Sequence, residues 1–211
     1  MELTIFGATG ATGTSLTEQA LAAGHQVTAV VRDPARLSVP ESPRLRVITA
    51  DLMDPAAIGP AVAGAGAVFA AFGPRGTGPT TVLRDGTRSV IEAMRKEGTD
   101  RLILVSGSIV ADDGEGPAMR YLVKPLARGT LLRHVAADMR GAEEQVRDSG
   151  LDWTIVRPPR LTSDPASGTY RTEIGRNVRR GVTVSRADLA AYMIAIITDP
   201  ATIHHHVGIA R

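Results

Sequence analysis

A chain of 211 residues with 43% hydrophobic and 22% charged side chains holds enough apolar material for a sizeable core. Its 24 Lys+Arg against 22 Asp+Glu leave a net charge of +2, and aromatics make up only 3%, which argues against general affinity for nucleic acid or membrane surfaces. The absence of cysteine excludes disulfides, thiolate metal sites and a cysteine nucleophile.

Met1 runs straight into the strand-like ELTIF, leaving no room for a signal peptide. The late apolar run LAAYMIAIIT is too short to span a bilayer. The expectation is a cytoplasmic protein, a monomer or a homodimer.

In chain order, 2–6 reads as a buried strand and Thr14 to Ala23 as a helix that Gly24 ends. Strands follow at 25–31 and 45–50, a short helix from Pro55 to Ala63, and a strand at 66–72. Thr80 to Glu97 is helical in period, with Val82, Val90, Ile91 and Met94 on or near one face. A strand at 101–106 is followed by a loop at 112–117, helices at 118–134 and 136–149, and a strand at 151–158. The Pro/Gly/Ser-rich stretch 158–168 is too long for a plain connection. Ser185 with Asp188 starts a helix running to Thr198. Apolar strands alternating with helices predict an α/β chain: a Rossmann-like, doubly wound parallel sheet with a small C-terminal substrate lobe. We read one domain over 1–211, its lobe drawn mainly from about 107–135 and 158–184.

Gly7, Gly10 and Gly13 fall between the first strand and the first helix, where a dinucleotide fingerprint belongs, although the spacing is G-x-x-G-x-x-G. Glycine allows the turn, and its missing side chain lets a pyrophosphate approach the main chain and the helix N-terminus. Arg32, with Arg36 close behind, stands at the end of the second strand, where an acidic residue would hold the ribose hydroxyls of NAD. A guanidinium there suits the 2′-phosphate of NADP, with Asp33 as an opposing neighbour. Asp51 and Leu52, after the third strand, either flank an adenine or begin the next helix.

GATGATG, VRDPARL, ADL and LDWTIVRPPRLT together resemble the atypical short-chain dehydrogenase/reductase superfamily. Within it the chain is most similar to the NmrA-like NAD(P)H-binding branch and its biliverdin/flavin reductase members. The resemblance implies NADP(H), preferred over NAD(H), above the C-terminal edge of the sheet. It implies that Gly7, Thr9, Gly10, Thr12, Gly13 and Thr14 cradle the phosphates and that Arg32 and Arg36 hold the 2′-phosphate. Asp51 and Leu52 would flank the adenine, and Phe72 and Gly73 would pass near the ribose and nicotinamide. Ser106, Gly107 and Ser108 would lie beneath the nicotinamide, with Pro158, Pro159 and Arg160 closing over the cofactor.

The chain departs from that pattern twice. Ordinary short-chain dehydrogenases carry Tyr-x-x-x-Lys, whereas here Tyr121 and Lys124 are three apart and precede Pro125. Arg160 stands where the biliverdin/flavin reductases have a histidine. The candidate catalytic groups are therefore Ser106, Ser108 and Arg160: a serine to orient the nicotinamide or meet a developing anion, and an arginine to pair with an anionic acceptor. Tyr170 and Arg171 are candidates for the same mouth.

No metal is expected, because His204, His205 and His206 on a strand would not converge on one ion. Glu143 and Glu144 read as solvated on a polar helix face, and Trp153 as core. Arg176, Arg179 and Arg180 form a basic patch too small for a nucleic-acid backbone.

The reading favours hydride transfer from NADPH to a flavin, quinone or related conjugated small molecule. Its alternatives are a non-catalytic NADP(H)-sensing regulator and an epimerase, dehydratase or ketoreductase of specialised metabolism.

Overall fold

A computed structural model describes residues 1–74, 76–111 and 132–211. The strands are β1 (Glu2–Phe6), β2 (Gln26–Val31), β3 (Leu45–Thr49), β4 (Ala67–Ala70), β5 (Arg101–Val105), β6 (Asp152–Arg157), β7 (Arg160–Thr162), β8 (Arg171–Ile174), β9 (Thr183–Ser185) and β10 (His205–Ala210). The helices are α1 (Ala11–Ala22), α2 (Pro55–Val62), α3 (Val82–Glu97), α4 (Arg133–Arg147) and α5 (Arg186–Ala195).

Eight strands form one sheet in the order β3-β2-β1-β4-β5-β6-β10-β8, parallel throughout except that β8 runs antiparallel to β10. The order reverses between β1 and β4, the point at which a doubly wound sheet opens a crevice at its C-terminal edge. The Rossmann-like expectation is met.

Alternation along each strand fills two core layers. Leu3, Ile5, Phe69 and Ile103 face one layer, with Leu16 and Ala20 of α1 and Leu189 and Met193 of α5. Phe6, Val68, Leu102 and Leu104 face the other, with Ile58 of α2, Val90 and Met94 of α3, and Val146 of α4. Trp153 is core, as expected.

Three expectations change. First, α1 starts at Ala11 rather than Thr14, because Gly10 is the extended N-cap and its carbonyl accepts from Thr14 N at 2.8 Å; Gly13 is therefore inside the first turn. Second, the stretch 158–168 is not all loop: β7 pairs with β9 in a separate two-stranded sheet. Third, the C-terminal third also gives β10 and β8 to the main sheet, so it is not a lobe alone. Among the described residues, no helix is long and apolar enough to cross a membrane. The loop expected at 112–117, most of the helix expected at 118–134, and Tyr121, Lys124 and Pro125 lie outside the described residues.

Candidate functional site

The site begins where β1 turns into α1. Gly7 has φ +85, in the left-handed region, and a Cβ there would meet Ala71 O, just after β4, at 2.5 Å. A Cβ on Gly13 would strike the Gly7 carbonyl, so turn and helix touch only because both positions are glycine. Gly10 N donates to Gly7 O at 2.9 Å and closes the turn.

The turn leaves the N-terminus of α1 open. Its N-cap has no side chain to accept from the first N–H groups, and its first turn carries no acidic residue. At two other helices the same end is closed: Asp54 accepts from two N–H groups at the start of α2, and Ser185 from Asp188 N at the start of α5, whereas α4, like α1, has no side-chain cap and no acidic residue in its first turn. At α3 the side chain of the local N-cap Thr81 makes no capping bond, and Asp138 of α4 accepts from Leu83 N at 3.0 Å and Arg84 N at 2.9 Å instead. Asp138 has no signal in its own stretch of sequence.

A cavity of about 520 Å³ opens above this turn. Gly7, Thr9 and Gly10 form its floor, Arg32 and Arg36 one wall, and Asp51, Leu52, Phe72 and Gly73 the rest of the expected set. Both arginines are exposed, and among the described residues neither guanidinium has a hydrogen-bond or ion-pair partner. Asp33 is committed elsewhere: its carboxylate accepts from Ala35 N at 3.1 Å and caps a short 3-10 turn. Asp51 likewise accepts from Met53 N at 3.0 Å, while Asp54 caps α2.

Leu52 and Phe72 reach their places over Gly86, where a Cβ would come within 2.8 and 2.7 Å of their side chains. Glycine inside a helix costs about 1 kcal/mol relative to alanine, so its place in α3 calls for a packing reason. That lone glycine was the signal that sequence reasoning missed.

The structure does not bring every expected residue into this cavity. Thr12 sits in the first turn of α1, Gly13 is buried beneath it, and the Thr14 hydroxyl donates to Ala8 O at 3.1 Å. Ser106 and Ser108 form a second group, at the ends of β5 and β6. Ser106 N donates to Val156 O at 2.9 Å and Ser108 N to Pro158 O at 2.8 Å. Asn177, buried in the chain after β8, donates to Ser108 O at 3.1 Å and Ala111 O at 3.3 Å, pinning this segment. Pro158 is buried, Pro159 half-buried and Arg160 exposed at the start of β7. Tyr170 stands edge-on to Tyr192, with ring centroids 5.9 Å apart, and Arg171 donates to the Arg179 and Arg211 carbonyls.

Glu143 corrects the sequence reading. It is fully buried rather than solvated, because α4 turns it toward the end of β6. Arg157 Nε donates to its Oε1 at 2.9 Å and Arg157 Nη2 to its Oε2 at 2.5 Å; Arg147 Nη2 also donates to Oε2 at 2.5 Å. Burial alone pushes its carboxyl up, but the hydrogen bonds and charge of Arg157, with Ser106 and Arg147 in support, outweigh that and hold it below its ordinary range.

The histidine tract is divided. His204 lies before β10 with φ +60, its Nε2 3.1 Å from Leu151 O and its ring beside Trp153, while His205 and His206 enter β10.

Comparison with known proteins places this geometry. The sequence profile of the NAD(P)H-binding family matches residues 7–200. An uncharacterized chloroplastic protein of Arabidopsis thaliana is 33% identical over 197 residues, covering 89% of this chain and 68% of that one. The anaerobilin reductase ChuY of Escherichia coli O157:H7 superposes with TM-score 0.73 at 26% identity, over 99% of this chain and 97% of that one. A short-chain dehydrogenase/reductase of Veillonella parvula, solved in complex with NADP, shares the fold with TM-score 0.81 at 21% identity, over 100% of this chain and 94% of that one.

Proposed function

The chain belongs to the NAD(P)H-binding family, and on that premise we infer that it is an NADPH-dependent oxidoreductase whose acceptor is a conjugated small molecule such as a flavin or quinone. The observation that carries this reading is the pairing of an uncapped α1 N-terminus with two unpaired arginines in one cavity. A pyrophosphate fits the first, because the glycines leave the main chain bare and the N–H groups lack acceptors. A 2′-phosphate fits the second, because Arg32 and Arg36 are charged and uncommitted. Support for a reductase comes from the similar structure of ChuY, which is described as an anaerobilin reductase.

The dinucleotide supplies the hydride when bound. The chain's own part is placement. Gly7 and Gly10 admit the phosphates, and Leu52 and Phe72, seated on Gly86, give the adenine end an apolar wall. Ser106 and Ser108 follow β5, where the nicotinamide half would extend, and Pro158 and Pro159 follow β6 beside them. Arg160, exposed beside them, would pair with an anionic acceptor.

Arg32→Ala tests the reading. Titration of the purified variant should show NADPH weakened tenfold to a hundredfold, about 1.5–3 kcal/mol, with NADH nearly unchanged. Equal losses for both cofactors would remove the 2′-phosphate assignment. NADPH oxidation with FMN as acceptor tests turnover in the same samples. Tight binding without turnover on any acceptor would instead select the sensor reading.

A further inference from the structure

Four arginines fall between residues 171 and 180, and the structure divides them. Arg171 is spent on the Arg179 and Arg211 carbonyls, and Arg176 pairs with Glu173 at 2.9 Å. Arg179 and Arg180 are exposed, and among the described residues neither guanidinium has a hydrogen-bond or ion-pair partner. The Arg160 guanidinium is in the same state. The pairing of β7 with β9 brings it into the same region. Arg160 is the register partner of Thr183, which lies three residues after Arg180, at most about 11 Å of extended chain.

Exposed arginines are common and by themselves mark nothing. These two stand on a turn that the fold pins from several sides. Gly175 N donates to His206 O at 2.8 Å and Gly208 N to Arg176 O at 3.2 Å, which seats the segment on β10. The segment crosses β10 at Gly208, where a Cβ would come within 2.6 Å of Arg176 O and 2.8 Å of Val178 N. Asn177, only 2% exposed, donates to the Ser108 and Ala111 carbonyls, and Val178 beside it is buried. Gly181 N closes the turn on Val178 O at 3.0 Å, and a Cβ on Gly181 would strike the Ala210 methyl. Gly208 is paired in register with Arg157, so the turn lies at the end of β6 that leads into Pro158. Within the turn Arg180 has φ +58, one of two non-glycine residues at positive φ among those described. Glycine or asparagine would take that backbone at lower cost. A pinned scaffold and a strained backbone together present two uncommitted cations beside the segment that follows β5.

We propose that Arg179 and Arg180, with Arg160 nearby, form a recognition site for an anionic group of the acceptor: a phosphate or carboxylate carried on a conjugated small molecule. This rests on the NADPH-dependent reading above and adds which acceptors are chosen. A guanidinium suits both anions, because its planar fork meets two oxygens at once. The pinned turn helps because a cation already placed loses less freedom when the ligand arrives. A neutral acceptor with the same ring system makes none of these contacts, so the charged tail sets the preference.

The test compares two pairs of ligands, each pair differing at one charged group: FMN with riboflavin, and anthraquinone-2-carboxylate with its carboxamide. The first pair reports on phosphate and the second on carboxylate. Binding to the NADP⁺-loaded protein is measured by titration, so no turnover is needed. The wild-type protein should prefer the anionic member of at least one pair by about tenfold or more. That preference should shrink as ionic strength rises to about 1 M, where the screening length is about 3 Å. Joint Arg179→Ala and Arg180→Ala substitution should remove most of it. Arg180→Gly separates recognition from a structural role: it relieves the backbone, so the thermal midpoint should hold or rise while the preference falls. Arg180→Lys should retain part of the preference. NADP⁺ titration of each variant reports whether it is folded.

Equal affinity within both pairs, no binding of any of the four, or a preference that survives the joint substitution overturns the proposal and leaves the cofactor reading intact. Wild-type protein that does not bind NADP⁺ overturns both.

Discussion

Two helices begin at the C-terminal edge of the sheet beside its switch point, and their N-termini are treated in opposite ways. α1 follows β1 with glycine as its cap, no acidic residue in its first turn and no side chain on its N–H groups. α3 follows the segment after β4, and Asp138 reaches across from α4 to bind Leu83 N and Arg84 N, with Thr80 Oγ1 at 3.4 Å. Both ends carry the same partial positive charge. One has no carboxylate on its N–H groups, and the other already holds one from the chain. The helix dipole by itself therefore does not mark a site. The lesson is that a site is made by withholding a cap and clearing the space in front of it.

The comparison breaks first at the glycines. Gly7→Ala places a side chain against Ala71 O at a left-handed backbone position, a strain of about 1–3 kcal/mol before the clash is counted. We expect a marked fall in thermal midpoint together with loss of detectable NADPH binding in titration. Asp138→Ala is the converse. It strips two N–H groups of their acceptor and should destabilise by about 1–3 kcal/mol in urea unfolding, with NADPH affinity nearly unchanged. A large loss of affinity there would mean that the α3 end also serves the cofactor.

A smaller change sharpens the contrast. Thr12→Asp gives α1 the carboxylate that α3 already has. The unliganded protein should gain about 0.3–1 kcal/mol from the dipole while NADPH binding weakens, two readouts of opposite sign. The smallest effect concerns acid. Glu143 is held below its ordinary range when folded, so its contribution is present above the unfolded value and is lost as pH falls through the folded one. Stability measured on acidification should fall more gently in Glu143→Gln than in the parent, and identical slopes would show that the pair carries no such linkage.

Much of the fold was legible. β1 to β6 are apolar runs separated by glycine, proline and capping residues, and such runs read as parallel strands wherever they fold. β7 and β9 escaped because each is three residues long, and β8 because its side chains are mainly exposed. For β10 the histidines read as strand, but not the buried residues that follow them or the strand's place in the main sheet. The candidate site divides along the same line. The glycine turn and Arg32 sit within short local patterns whose spacing has a physical meaning. Asp138, Gly86 and Glu143 do not. Glu143 belongs to a polar-looking helix face, and its meaning depends on Arg157, 14 residues away on a different element.

The sequence by itself determined the alternating strands and helices, the bare turn after β1 and the positive charge at the end of β2. These follow from backbone sterics, side-chain period and local charge, which act over a few residues. Only the tertiary structure decided which helix end stays open, which glycine seats Leu52 and Phe72, and which carboxylate meets Arg157. Those depend on groups brought together from distant parts of the chain, and no local pattern records what a buried polar atom will meet once the helices pack.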